Sequence, residues 1–175
     1  RILASGASSL ALPQKSTSAL AARARAYQTN SWRIITMSAL FSDAWMKQLM
    51  DAWNGEPEVK DKLAEIGFNS VIYCGFKSED NPRGVFVVEN GICVRAGAWS
   101  PTDPPANWDM RADLGDWLKW VEKGIGMMGM GMAFTTGKLK FKVGDYKAMM
   151  KDPRMANPFV KSFGLMQKIG ADELG

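Results

Sequence analysis

The runs "GVFVV" and "ICVRAGA" flank Asn90-Gly91. That dipeptide accepts the two positive φ angles of a type I′ turn, whose twist suits a right-handed ribbon. The chain is therefore committed to an antiparallel hairpin, with Val87 expected opposite Val94 and Val88 opposite Cys93. A two-stranded ribbon is marginal alone, so it must find further strands and an apolar layer to cover them.

Those elements are legible on either side. "SDAWMKQLMDAWNG" places Phe41, Trp45, Leu49 and Trp53 on one helical face, with Ser42 as N-cap and Asn54-Gly55 as the stop. "PEVKDKLAEIG" predicts a second helix from Pro57, with Val59, Leu63 and Ile66 inward and Gly67 ending it. "NSVIYCGF" and "WDMRAD" predict strands, and "LGDWLKWVEKG" a helix with Leu114, Trp117, Leu118 and Val121 on its apolar side. "KLKFKVG" alternates strictly, which puts Lys138, Lys140 and Lys142 outward and Leu139, Phe141 and Val143 inward. "DYKAMMKDP" and "NPFVKSFGLMQKIG" predict closing helices. The order suits an α+β fold in which helices cover one side of a mostly antiparallel sheet.

Composition narrows the chemistry. The 175 residues hold no His and two Cys, Cys74 and Cys93, which removes Ser-His-Asp, Cys-His and His-metal sites and gives no disulfide framework. "GIGMMG" matches a dinucleotide fingerprint literally, but a helix precedes it and Met149 stands where an acid is needed. "GMAFTTGKL" misses the phosphate-loop spacing, with Leu139 where Ser or Thr belongs. Asp109, Asp113 and Asp116 read better as structural carboxylates, Asp113 favouring a helix start. No catalytic constellation emerges, and we expect a non-enzyme without a metal.

The stretch "GIGMMGMGMAF" is the most unusual. Met repacks around irregular apolar surfaces, and the interleaved glycines loosen the backbone, so the run reads as a compliant wall for a greasy ligand. The uncharged run Gly124–Gly137 is 14 residues, too short to span a bilayer, and we expect a soluble body. Residues 37–122 carry 8 basic and 14 acidic side chains, whereas residues 123–171 carry 9 basic and 2 acidic. The Met-rich half is thus the basic half, suited to an anionic headgroup or an acyl-CoA phosphate. Across 37–175 the charges nearly cancel, which argues against nucleic acid as a partner.

"GMGMAFTTGKLKFKVGDYKAMMK" resembles the C-terminal signature of the sterol carrier protein 2 (SCP2-like) family through Gly137-Lys138-Leu139-Lys140, Gly144-Asp145 and Met149. The likeness covers roughly residues 42–170. It implies a five-stranded sheet covered by helices, enclosing an apolar tunnel for sterols, fatty acids, acyl-CoA or phospholipids, and no catalysis. Carried over, it implies a tunnel wall from Trp117, Trp120, Met127, Met128, Met130, Met132, Phe134, Leu139 and Phe141. Met149, Phe159 and Phe163 would cap that wall, and Lys138, Lys140, Lys142, Lys147 and Lys151 would face headgroups or membrane. The only bound group expected is a lipid or acyl chain.

Residues 1–36 lie outside the likeness, and we divide the chain into an arm, 1–36, and a lipid-binding domain, 37–175. The arm has five basic residues and no acid, is rich in Ser and Ala, and contains Arg25-Ala26-Tyr27, similar to a mitochondrial processing site. It reads as a transit-peptide-like extension that lies along other subunits of a large assembly. The expected role is an accessory subunit of a mitochondrial membrane complex of respiratory type, on the matrix side or peripheral to the inner membrane, with residual lipid binding. The alternative is a free mitochondrial carrier of lipid, sterol or acyl-CoA.

Overall fold

A computed structural model describes residues 38–171, and the hairpin supplies one edge of its sheet. Strand β2 (Gly84–Glu89) turns through Asn90 and Gly91, at φ 48° and 80°, into β3 (Ile92–Ala98). Val88 faces Cys93 as expected, but Val87 faces Arg95, because a bulge falls between Val87 and Val88 and leaves Val94 over. One extra residue re-aims the rest of β3, which is what a bulge does near a sheet edge.

The sheet runs β3-β2-β1-β4-β5, with β1 at Ser70–Phe76, β4 at Trp108–Ala112 and β5 at Lys140–Val143. Strands β1 and β4 are parallel, and every other neighbouring pair is antiparallel. Strand β5 pairs Phe141 with Met110 and ends at Val143, which is exposed rather than inward because the register slips at Asp109/Met110.

Six helices accompany the sheet among the described residues. Helix α1 (Asp43–Asn54) begins where Ser42 Oγ accepts the Trp45 amide at 3.2 Å, and it buries Trp45, Met46, Leu49 and Trp53. Its end is bolted to the hairpin. Trp53 Nε1 donates to the Gly91 carbonyl at 2.9 Å, and the Asn54 amide both donates to and accepts from the Cys93 backbone at 2.9 Å. Helix α2 (Pro57–Ala64) starts at its proline and buries Val59 and Leu63. Helix α3 (Leu114–Lys123) buries Trp117, Trp120 and Val121; Trp117 Nε1 donates to the Gly75 carbonyl at 3.0 Å and its ring stacks on Phe163.

Helix α4 is Met127–Thr135 and α5 is Tyr146–Lys151, the latter capped by Asp145. Helix α6 (Pro153–Ile169) starts four residues earlier than the apolar spacing predicts, because Asp152 accepts the Arg154 amide at 3.0 Å and Pro153 occupies the first turn. Pro158 then lies inside the helix, where it lacks the N–H of an ordinary turn.

Successive residues of a strand point to opposite faces, and the two faces differ here. Cys74, Phe86 and Met110 point toward the helices and join the main apolar core with Trp53, Trp117 and Phe163. On the reverse face Val85, Asp109 and Arg111 are buried as well. Arg111 meets Asp109 through Nε–Oδ1 at 2.5 Å and Nη2–Oδ2 at 3.0 Å, and donates to the Glu79 and Asn81 carbonyls at 3.1 and 3.0 Å. The segment after β1 is thereby laid over the back of the sheet.

The arm read from residues 1–36, its processing motif and its docking role lie outside the described residues.

Candidate functional site

The helical layer and the sheet do not close on each other completely. A cavity of about 60 Å³ remains between them. Its floor is Ile72 and Cys74 of β1, Phe86 of β2, Trp108 and Met110 of β4, and Phe141 of β5. Its roof comes from Leu49 and Trp53 of α1, Leu63 of α2, Met149 of α5, and Met155, Phe159, Ser162 and Met166 of α6. Ile72, Trp108, Phe141, Met155 and Phe159 are half-buried and define the rim.

Each wall follows from local pattern. The period-two alternation of β1 and β4 sends Ile72, Cys74, Trp108 and Met110 to one face. Helical spacing in α6 brings Met155, Phe159, Ser162 and Met166 to its underside. Ser162 spends its hydroxyl proton on the Phe159 carbonyl at 2.6 Å, so the lining is apolar in effect.

Of the tunnel wall that the family likeness implies, the structure brings only Phe141, Met149 and Phe159 to the cavity. Trp117, Trp120, Met130, Leu139 and Phe163 are buried in the core away from it. Phe134 is half-buried, stacked on Tyr146 with centroids 4.1 Å apart. The outer methionines correct the expectation most: Met127 is 43 % exposed, Met132 61 % and Met128 86 %. The cause is the rotation of α4, whose inward side carries Met130 and Ala133 and leaves its neighbours turned out. Met127, Met128 and Met132 therefore line no part of this cavity.

Sequence reasoning missed Leu49, Trp53, Leu63, Phe68 and Phe86 as lining residues. Helical spacing marked Leu49, Trp53 and Leu63 as core, Phe86 sat in a strand run and Phe68 fell between predicted elements, and nothing local separates a core residue from one beside a gap.

The basic side chains divide into two sets. Lys138 meets Asp116 at 3.4 Å, and Lys142 donates to the carbonyls of Glu79 and Asp80 at 3.3 and 3.2 Å. Lys140, Lys147 and Lys151 are exposed and form no ion pair or hydrogen bond among the described residues.

Titratable groups near the cavity are muted. Burial pushes the Cys74 thiol up to about 12, with the nearby Asp109 carboxylate adding to the effect. Burial also pushes Cys93 up to about 12, and both cysteines are free. Buried, protonated thiols of this kind are poor nucleophiles and pack as small apolar groups. Asp109 is committed to Arg111, Asp113 to Lys77 at 2.7 Å and Asp116 to Lys138, as a structural role requires. Among the described residues no group of acids and thiols is placed to hold a metal, and no helix is long and apolar enough to cross a membrane.

No protein-family model and no curated protein matches the chain. Solved structures do. The chain is similar to a crystal structure of sterol carrier protein 2, with TM-score 0.57 and 17 % identity over 74 % of this chain and 98 % of that one. Less similar are a conserved hypothetical protein from Thermus thermophilus, TM-score 0.47 at 18 % identity, and UbiJ-SCP2, a ubiquinone synthesis protein, TM-score 0.46 at 13 %. They cover 78 % and 70 % of this chain, and 96 % and 88 % of their own. The fold is SCP2-like.

Proposed function

We propose, from an SCP2-like fold with an apolar gap between its layers, that this chain is a non-catalytic binder of one lipid or acyl chain. The observation that carries the reading is the composition of the gap. Four of its lining side chains are Met110, Met149, Met155 and Met166, and the rest are aromatic, aliphatic, Cys74 or the internally bonded Ser162. A volume of about 60 Å³ is well short of the ~150 Å³ cavity that takes up benzene, so an acyl chain enters only by displacing side chains. Unbranched methionines do this at low steric cost.

Trp53 and Trp108 stand on opposite walls and report on occupancy. Titrating the full-length protein with palmitate should change tryptophan emission saturably, at one ligand per chain, and native mass spectrometry should show the same stoichiometry. A linear, unsaturable response with only unliganded mass would end the reading.

Within it we place the chain in mitochondria, peripheral to the inner membrane on the matrix side, as an accessory subunit of a membrane complex. The acid-free composition of residues 1–36 supports that placement, and the small gap suits a resident subunit better than a free carrier that loads and unloads. Native mass of the endogenous protein after mild detergent extraction separates the two. Co-migration with a large complex favours the subunit, and migration near 19.3 kDa favours the carrier.

A further inference from the structure

Helix α4 breaks the ordinary pattern of a surface helix. An apolar stripe should face the core and polar residues the solvent. Here residues 124–134 contain no polar side chain at all, and the buried side is only Met130, Ala133 and part of Phe134. The outward side carries Met128 and Met132, one turn apart, with Met127 beside them. These three make up half of the large apolar side chains exposed among the described residues. A Cβ added at Gly126 or Gly131 would touch nothing within 4 Å, so these glycines do not serve close packing inside the domain.

The charge around this helix is one-sided. Residues 114–143 contain five lysines, Lys119, Lys123, Lys138, Lys140 and Lys142, against Asp116 and Glu122. Lys123, at the entry to α4, and Lys140, just after it, are exposed and form no ion pair or hydrogen bond among the described residues. The acid-free segment 1–36 is a poor occupant for such a face because its charge has the same sign. Exposed Trp, Tyr and Arg, the usual anchors of protein interfaces, are absent from α4. A surface that is soft and apolar, with the unpaired Lys123 and Lys140 flanking it in the chain, matches the interfacial zone of an anionic bilayer, where methionine tips enter the acyl boundary and ammonium groups stay with the phosphates.

We propose that α4 is a membrane-docking element, with Met127, Met128 and Met132 inserting into an anionic lipid surface and Lys123 and Lys140 meeting its headgroups. This goes beyond the cavity reading and does not depend on the gap being occupied.

The test is co-sedimentation of the full-length protein with vesicles of equal parts phosphatidylcholine and phosphatidylserine, against phosphatidylcholine alone. Binding should require the anionic lipid and weaken as salt is raised. Replacing Met128→Gln and Met132→Gln together should lower affinity by roughly tenfold, from the lost apolar burial. Lys123→Gln and Lys140→Gln should each lower it by roughly fivefold. Met128→Leu with Met132→Leu should retain binding, and all variants should keep the wild-type thermal midpoint because the altered side chains are exposed. Because every variant keeps residues 1–36, binding through that segment would leave all of them equal to wild type, which overturns the proposal. Absence of vesicle binding by the wild type overturns it too, as does loss of co-migration with a protein complex in the Gln variants while vesicle binding is unchanged.

Discussion

Glycine serves opposite ends in two parts of this molecule. Along the sheet it is jammed: a Cβ at Gly144, where φ is +102°, would lie 2.3 Å from the Trp108 ring, and one at Gly91 would lie 2.2 Å from the Lys60 carbonyl. On α4 it is idle: Gly126 and Gly131 face open space, and Gly129 would touch only the Ile125 side chain. Where glycine is jammed, the surroundings are aromatic rings and backbone in a single arrangement. Where it is idle, the neighbours are exposed methionines. The sheet is built for one shape, and α4 is not committed to any.

The sharpest way to stress the committed side is to break its buried ion pair. Arg111→Ala should cost about 3–5 kcal/mol in urea unfolding, because Asp109 is left buried and the Glu79 and Asn81 carbonyls lose their donor. Gly144→Ala should cost on the order of 3 kcal/mol, from left-handed strain together with the clash against Trp108. On α4 the sign should reverse: Gly131→Ala should stabilise the protein by up to about 1 kcal/mol, since alanine is the better helix former and nothing stands in its way. Should Gly131→Ala destabilise as much as Gly144→Ala, the contrast between the regions collapses.

A further test concerns pH. The folded state holds Cys74 and Cys93 protonated, up to about 12 against an ordinary 9.0, while the unfolded chain ionises at the lower value. That stabilisation is complete below pH 9.0 and is lost as pH rises toward about 12. Iodoacetamide at neutral pH should therefore leave both thiols unlabelled until the protein is unfolded. Rapid labelling of native Cys74 would mean that the cavity wall opens far more than a tightly committed sheet allows.

How much of this could be read beforehand follows the same division. Asn90-Gly91, the face of Trp45, Leu49 and Trp53, and the β1 and β4 runs were all legible because their signals are local and repetitive. The bulge that leaves Val94 unpaired was not, since an inserted residue in an alternating Val/Cys run changes no composition. Asp109 was recognised as structural, but its bidentate partner two residues away was invisible, because burial on the reverse face depends on how segment 77–83 lies over the sheet. The Met-Gly run was read as apolar and compliant, and the side of the helix it would present was beyond reach. With apolar residues all round, periodicity gives no inward direction.

The parallel pairing of β1 with β4 carries a kinetic consequence. The hairpin between them is joined by a two-residue turn and can form on the microsecond scale typical of such ribbons. The β1–β4 seam, by contrast, must wait until residues 77–107 have been gathered into a loop, and the entropy of that closure comes before any of its contacts. During synthesis β1 therefore emerges before either neighbour, is joined first by β2 and stays bare on its other side until β4 follows. Strand β5 and helices α4 to α6 follow only after β4. Until then the apolar underside of the sheet has, among the described residues, α1, α2 and α3 as its only cover, and this nascent form is the one most in need of a chaperone.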